Sequence, residues 1–429
     1  MLNNKNTILL IIILVFVLVC AIIITHSYTQ IPVLSLLPVL VFILIAVLWQ
    51  LKYFTRNKIK GIFFILLIIK YSVLCYQSIN RDIPMGGVDW INFNRSALEI
   101  LDANNSIASI LSSDFNLFPK LVAIIYYLFG NDITLIYFYV FGISIITQIY
   151  IYKTTLLLTN NSYSSQKIAL LWMIWPIEFI FSITFLREIP TQCLFIMSVY
   201  HFTLFLKQNR FRNLLIALLL SILATLMHSG MIAIMFVYLF IWATKGEQIS
   251  NILKIGLGVV LIVTLLASPL GELMITKFKN IDSIEDVIAV QTVRGNTNYV
   301  STVPTSTLGL FLQLPYRIIM FAISPLPWQI FSMETLIAWL VDGILQLFMW
   351  YKIFQYSFKY KPASRFARTF KRTFLFVIFS TYMLFALGTN NYGTAMRHRV
   401  KLFPMIILLL PILSQGNTNT MYIKIKKKT

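Results

Sequence analysis

Long apolar stretches separated by short polar gaps recur along the whole chain. A helix needs about 20 apolar residues to cross the hydrocarbon core of a bilayer, and most of these stretches approach that length. The alternation typical of membrane strands is absent, so the pattern predicts helices rather than a barrel. The predicted transmembrane spans are 7–25, 33–51, 61–79, 132–157, 166–185, 189–207, 213–227, 229–244, 254–269, 331–351, 373–388 and 402–415.

Two further apolar segments, 117–130 and 306–325, are ambiguous. The first is short for a span and ends at a glycine, and the second is interrupted by Pro315 and Arg317. Cytoplasmic loops of membrane proteins are enriched in Lys and Arg, and all basic clusters fall on one side only if neither segment crosses fully. We therefore predict 12 crossings, two cytoplasmic termini and two re-entrant or interfacial segments. The basic clusters lie at 52–60, 207–212, 352–372 and 424–428.

The predicted fold class is all-α: a polytopic membrane helix bundle, with residues 1–429 as one integral membrane domain. Residues 90–101 have apolar positions at helical spacing, which predicts a helix lying along the membrane interface. The main loops are an external loop at 80–131 with interfacial helices, a second external loop at 270–330 with a membrane-dipping segment, and a basic cytoplasmic loop at 352–372.

Composition supports a membrane protein and excludes several other classes. The 429 residues are 58% hydrophobic and 12% charged, whereas soluble domains have about 25% charged residues. The net charge of +20 is explained by basic cytoplasmic loops, so nucleic acid is not an expected partner. The three cysteines form no CxxC motif and no His/Cys cluster, so no metal site or cofactor is expected, and a divalent metal is left open.

Asp89 is the first candidate for chemistry on the external side. It follows Gly86–Gly87 and precedes Trp90, and a carboxylate beside an apolar interface is suited to act as a general base. The alternative is that Asp89 caps a helix starting at Trp90. Trp90 could stack on a sugar ring or simply anchor the chain at the membrane interface.

Arg187 and Glu188 are a charged pair enclosed by two apolar stretches. Charges in this setting are costly unless they face a cavity. Arg187 could bind phosphate oxygens through its two-pronged guanidinium, oriented by Glu188. An ordinary loop salt bridge is the alternative.

Further basic residues fall at external positions. His228 lies in a short turn, where it could bind phosphate or simply pack against its neighbours. Arg397, His398 and Arg399 form a basic run on the face where such residues are depleted, which suggests an anionic ligand. Tyr392 precedes this run, and Arg317 could complete the wall of the same cavity.

Four motifs occur in an order that resembles a known group of membrane enzymes. They are GGVDW at 86–90, FPKLVAIIYYLFGND at 118–132, a helix ending in LRE at 186–188, and NYGTAMRHR at 391–399. The chain resembles multi-spanning glycosyltransferases of the GT-C type and, more closely, bacterial surface-polysaccharide polymerases (O-antigen or capsule polymerases of the Wzy and EpsG types).

The resemblance implies that a sugar is transferred from a polyprenyl diphosphate, such as undecaprenyl diphosphate, to a hydroxyl outside the membrane. Asp89 then matches the acidic base, and Arg187, Arg397 and Arg399 match the basic residues that bind the diphosphates. These enzymes often have a second acidic residue near the first, whereas Asp82 stands in a different setting. The implied partners are the polyprenyl-diphosphate-linked saccharide, the bilayer of a bacterial inner or plasma membrane, a flippase and a chain-length regulator.

Two other classes remain open from the sequence. A flippase or transporter of lipid-linked saccharides would place charges within its spans, and the candidates are sparse: Glu178, Glu334 and Asp342. An acyltransferase or a non-catalytic scaffold is the third possibility, although His228 lies at a turn and His201 has no acidic neighbour in sequence.

Overall fold

The structure is a computed structural model. It describes Ser27 and residues 33–54, 57–81, 89–245, 298–299, 307–359 and 365–426. Nearly all of these residues are helical, and an isolated antiparallel bridge pairs Asn298 with Asn391. The predicted all-α class is confirmed. The predicted spans 7–25 and 254–269 lie outside the described residues, so the number of 12 crossings stays a prediction.

The chain divides into two compact units, each described here by itself: Met1–Leu156 with Asn161–Cys193, and Leu157–Asn160 with Leu194–Thr429. The single domain expected from the sequence stays a prediction. Helices are numbered along the described residues. Those of the first unit are α1 (Val33–Leu51), α2 (Asn57–Asn80), α3 (Asp89–Ala103), α4 (Ile107–Ser112), α5 (Leu117–Phe129), α6 (Ile133–Thr159), α7 (Ser162–Ile174), α8 (Pro176–Phe181) and the start of α9 (Glu188–Gln208).

The second unit contains the rest of α9 and the helices that follow it. These are α10 (Phe211–Met227), a 3-10 turn (Ser229–Met231), α11 (Ile232–Lys245), α12 (Thr307–Ile323), a second 3-10 turn (Pro327–Gln329), α13 (Met333–Ala338), a π-helical turn (Trp339–Gly343), α14 (Ile344–Lys359), α15 (Arg365–Leu387) and α16 (Tyr392–Lys426).

Among the described residues, five helices are long and apolar enough to cross a membrane. They confirm the corresponding spans of the sequence analysis as helices of sufficient length. Shorter apolar helices cover Ser35–Leu51, Phe211–Met227 and Ser229–Thr244. The five long helices are Lys58–Asn80, Ile133–Thr159, Glu188–Gln208, Met333–Lys359 and Phe366–Leu387.

The prediction of one continuous span at 166–185 is wrong. Helix α7 ends at Ile174, and Pro176 starts the separate helix α8, which ends at Phe181. Proline disfavours helical backbone at the residue before it, here Trp175, and suits the first turn of a new helix. The residues after Phe181 form an irregular turn, 182–187, which presents Arg187.

Two further expectations differ from the structure. The segment 306–325 is a helix from Thr307 to Ile323 that continues through Pro315. Most of the expected loop 352–372 is helical as well, because α14 extends to Lys359 and α15 begins at Arg365. The segment 117–130 is the 13-residue helix α5, which is short for a span, as the sequence indicated.

Polar side chains tie helices together within each unit. In lipid, apolar surface gives little drive for helices to associate, so packing and hydrogen bonds between helices carry more of that role. Gln148 Nε2 donates to the carbonyl of Ala169 at 2.9 Å in the first unit. Ser198 Oγ donates to the carbonyl of Ala217 at 2.7 Å in the second.

Candidate active site

Helix α3 places Asp89 at its very start. The helix begins at Asp89 rather than at Trp90, so the carboxylate lies in the first turn, where the helix dipole favours a negative charge. Asp89 is half-buried. Phe93 follows four residues later, and residues at this spacing share one face of a helix. The side chains of Asp89 and Phe93 are therefore neighbours on α3.

The turn 182–187 brings Arg187 to that same face. The Cζ atom of Arg187 lies 5.4 Å from the centroid of the Phe93 ring, within the range of a cation–π interaction. The backbone of the turn is held from the following helix, because the hydroxyl of Thr191 donates to the carbonyl of Arg187 at 2.7 Å. Arg187 is half-exposed, whereas every other residue of 181–190 is buried.

Aromatic rings fix the positions of Phe93 and of the turn. Phe118, near the start of α5, packs edge-on against Phe93 with centroids 5.0 Å apart and also contacts Phe185 in the turn at 5.9 Å. The hydroxyl of Tyr126 donates to Asn94 Oδ1 at 2.6 Å, which adds a polar tie between α5 and α3. The segment at 118–132 thus supports both candidate residues.

Arg81 is a member of this cluster that the sequence analysis missed. Its guanidinium carbon lies 5.9 Å from the centroid of the Trp90 ring. It follows directly on α2 with a φ of 59°, in the left-handed region that few residues other than glycine adopt. Glu188, by contrast, is buried in the first turn of α9.

In the second unit, Arg317 is fully buried and bound to neutral groups. Its Nη1 donates to Asn390 Oδ1 at 2.6 Å, and its Nε and Nη2 donate to Gln313 Oε1 at 3.2 Å. Among the described residues, no carboxylate contacts this guanidinium. The groups that contact Arg317 among the described residues are thus neutral, an arrangement that suits an anionic ligand.

Arg399 is also fully buried, but groups of the protein compensate its positive charge. Its guanidinium forms an ion pair with Asp342. It also donates to the carbonyl of Phe321 at 2.7 Å and to that of Ser324 at 2.5 Å. These carbonyls lie at the C-terminal end of α12, where the helix dipole favours a cation. Arg399 therefore ties α12 and the π-helical turn to α16.

Close backbone packing accompanies this ion pair. A Cβ atom at Gly343 would lie 2.4 Å from the carbonyl oxygen of Pro325, so no larger residue fits there without a shift. Glycine lets the π-helical turn carrying Asp342 approach the segment that carries Ser324. Asp342 had been considered only as a charge within a span, and its pairing with Arg399 over 57 positions is a feature of the tertiary structure.

The basic run 397–399 lies within helix α16, which begins at Tyr392 rather than at residue 402. Residues two apart in a helix do not share a face. Arg397 is half-buried and Arg399 is fully buried, in keeping with this geometry. The structure thus places the two arginines of this run on different faces of α16.

His228 and His398 come together. Their ring centroids are 4.7 Å apart, and Phe385 packs against both rings. Lys401, a residue that the sequence analysis passed over, is fully buried, and its Nζ lies 3.1 Å from His398 Nδ1. Three nitrogen-bearing side chains thus share one location. No group of three or more His, Cys, Asp or Glu residues suited to a metal is found in the described parts of the chain.

Tyr299 contacts the residues directly before α16. Its hydroxyl donates to the carbonyl of Thr389 at 2.8 Å, and its backbone N–H donates to the carbonyl of Asn390 at 2.9 Å. Burial raises the pKa of the Tyr299 hydroxyl above its usual range, while Arg399 and Arg317 act in the opposite direction. The hydroxyl therefore stays protonated at neutral pH and keeps its role as a donor.

The described residues are nearly all helical, and their long apolar helices, with guanidinium groups beside a carboxylate and aromatic rings, point to a membrane protein. Residues 117–271 match the family described as dolichyl-phosphate-mannose-protein mannosyltransferase. This similarity supports the GT-C type of membrane glycosyltransferase, which uses lipid-linked sugar donors. The comparisons with curated proteins and with solved structures gave no match.

The matched region begins at Leu117, directly before the segment at 118–132 that carried part of the resemblance, and it includes Arg187, Glu188 and His228. Asp89, Arg317 and the basic run at 397–399 lie outside it. The similarity to this family agrees with the resemblance to GT-C enzymes in the sequence analysis, whereas the polymerase specificity is not addressed by this match.

Proposed function

We propose that this protein is a membrane glycosyltransferase that polymerises or transfers polyprenyl-diphosphate-linked oligosaccharide units on the extracytoplasmic face, in the biosynthesis of a capsule, O-antigen or exopolysaccharide. The observation that carries the proposal is the placement of Arg187 over Phe93, one helical turn from Asp89 on α3. Such a transfer requires a group that accepts a proton and a group that stabilises negative charge. Asp89 and Arg187 supply these two groups near the Phe93 ring.

The reaction breaks the bond between the anomeric carbon and the diphosphate oxygen and forms a bond from that carbon to the acceptor hydroxyl. Negative charge develops on the leaving diphosphate, and Arg187 stabilises it through charge-assisted hydrogen bonds. Asp89 accepts the proton of the attacking hydroxyl. Trp90, next to Asp89, offers a ring face against which a sugar can stack.

Within the second unit, considered by itself, Arg397 and other polar residues are suited to bind anionic or polar groups. Arg317 contacts only neutral amides among the described residues, which suits a phosphate ligand. His228 and His398 offer ring nitrogens at one location, and Tyr392 lies at the start of α16. Because its guanidinium is already bound by Asp342 and two carbonyls, we assign Arg399 the task of holding α12 and α16 rather than direct contact with substrate.

Purified protein in proteoliposomes, supplied with a polyprenyl-diphosphate oligosaccharide, tests the proposal. We expect products longer than one repeat unit, together with released polyprenyl diphosphate. In cells, loss of the gene should leave single lipid-linked units exposed on the outer face of the membrane. Accumulation of these units on the inner face, without polymerising activity of the purified protein, would identify a flippase instead.

A further inference from the structure

A buried polar network lies on the two helices that flank the turn of Arg187. Gln192 Nε2 donates to both carboxylate oxygens of Glu178, at 2.7 and 2.9 Å. Both side chains are fully buried. Glu178 belongs to α8 and Gln192 to α9, so this contact joins the two helices that flank the turn 182–187.

Lys70 on α2 is a buried basic side chain near this network. Lys70 is only 2% exposed and interacts electrostatically with Glu178. Its Nζ also lies over two aromatic rings, 5.1 Å from the centroid of Trp172 and 5.6 Å from that of Phe179. Charges within a membrane-spanning helix are costly, and where they occur they pair with one another.

The network involves helices that lie next to both candidate catalytic residues in sequence. Lys70 lies on α2, which ends directly before Arg81, and Glu178 and Gln192 come before and after Arg187 in the chain. Hydrogen bonds tie both ends of the turn to the flanking helices: the N–H of Ser182 donates to the carbonyl of Glu178 at 3.0 Å, and the hydroxyl of Thr191 donates to the carbonyl of Arg187 at 2.7 Å. Together with the contact of Phe185 with Phe118, these end contacts set the shape of the turn.

We infer that Glu178 and Gln192 form a clamp that positions Arg187 toward the donor diphosphate, with Lys70 as the counter-charge of the clamp. This inference rests on the proposed function for its substrate, and it makes Glu178, Gln192 and Lys70 positioning residues. Misplacement of a catalytic group by about 1 Å costs roughly 100-fold in rate, so the clamp is expected to act on transfer and not only on stability.

The first experiment is a double-mutant cycle in the transfer assay. Gln192→Leu removes the clamp and is expected to lower kcat at least 10-fold while the protein still inserts. In the Arg187→Ala background the same change should have less than a twofold effect, because the clamp acts through Arg187. Equal losses in both backgrounds would overturn the inference, as would an Arg187→Ala variant with full activity.

Gln148→Leu is the matched control. Gln148 is likewise buried in the first unit and donates to a neighbouring helix, at the carbonyl of Ala169. We expect this variant to keep its transfer rate within about twofold of the wild type. A loss as large as that of Gln192→Leu would mean that any broken polar tie has this effect, and the clamp would then have no special role.

Charge compensation supplies a second test. Glu178→Gln keeps the shape of the side chain but leaves the charge of Lys70 unbalanced, and Lys70→Met removes that charge. We expect either single change to lower transfer and the double variant Lys70→Met/Glu178→Gln to regain at least half of the wild-type rate. A double variant as inactive as the worse single one contradicts the role of Lys70 as counter-charge.

A measurement without catalysis separates this inference from the proposed function. A spin label on Arg187→Cys, in a chain whose three native cysteines are replaced by alanine, reports the mobility of the turn. Gln192→Leu should increase that mobility and Gln148→Leu should not. This result would support the clamp even if the protein transferred no sugar, and unchanged mobility would overturn it.

Discussion

The guanidinium of Arg187 lies over the ring of Phe93, 5.4 Å from its centroid, although 94 positions separate the two residues in sequence. Phe93 lies one helical turn after Asp89, so this contact brings the helix of the acidic residue to the turn that carries the basic one. The cation–π contact keeps the guanidinium on one side of the ring and does not neutralise its charge.

Replacing Arg187 should abolish most of the transfer activity. Removal of one stabilising donor from a developing charge costs about 100- to 1,000-fold in kcat, and we expect Arg187→Ala to fall in that range. Arg187→Lys should recover only part of the loss, since an ammonium group cannot bind two oxygens in the fork geometry. Polymer length on gels and initial rates in proteoliposomes measure the effect. Arg95→Ala is the control, because Arg95 is exposed on α3, and it should behave like the wild type.

Replacing Asp89 tests its role as a general base. We expect Asp89→Asn to lower the transfer rate about 100- to 10,000-fold, the usual contribution of general acid–base catalysis. Donor binding, measured by titration of a lipid diphosphate, should change little. Asp102→Asn removes an exposed carboxylate from the same helix and should retain activity. If Asp89→Asn transferred sugar at the wild-type rate, the arginines alone would have to activate the leaving group.

The ion pair between Arg399 and Asp342 is expected to stabilise the second unit. Removing one partner leaves a buried charge, so Asp342→Leu should lower the free energy of unfolding by about 3–5 kcal/mol. The double variant Arg399→Met/Asp342→Leu should be more stable than Asp342→Leu, because no unbalanced charge remains. It should stay below the wild type, since the carbonyls of Phe321 and Ser324 lose their donor. Thermal unfolding in detergent ranks the three proteins.

Arg317 is expected to contribute to binding of a phosphate group. Arg317→Met should raise the KM for the donor at least 10-fold, because a charge-assisted contact contributes about 1.5–3 kcal/mol. Arg368→Met removes an exposed arginine from α15 and serves as the control. A KM that is unchanged in Arg317→Met, with an unfolding temperature well below that of the wild type, would show that Arg317 serves packing alone.

Much of the architecture was readable from the apolar pattern. The helices near 33–51, 61–79, 132–157 and 189–207 follow their predicted ranges within a few residues, because a bilayer demands a fixed length of apolar helix. A helix, α3, is found where an interfacial helix was expected at 90–101, and its position at the membrane interface stays a prediction. The proline positions did not predict the helix ends reliably. Pro176 divides one expected span, whereas Pro315 lies inside an unbroken helix.

The sequence by itself determined the class of the molecule, an all-α membrane protein, and singled out Asp89, Arg187 and the run 397–399, because charges are rare and costly beside lipid. Only the tertiary structure decided which of these and other polar side chains meet within the protein. Arg399 finds Asp342, His228 meets His398, and Glu178 meets Gln192, whereas Arg317 contacts only amides among the described residues. Such pairings depend on helix faces that meet across long sequence separations, and no local pattern encodes them.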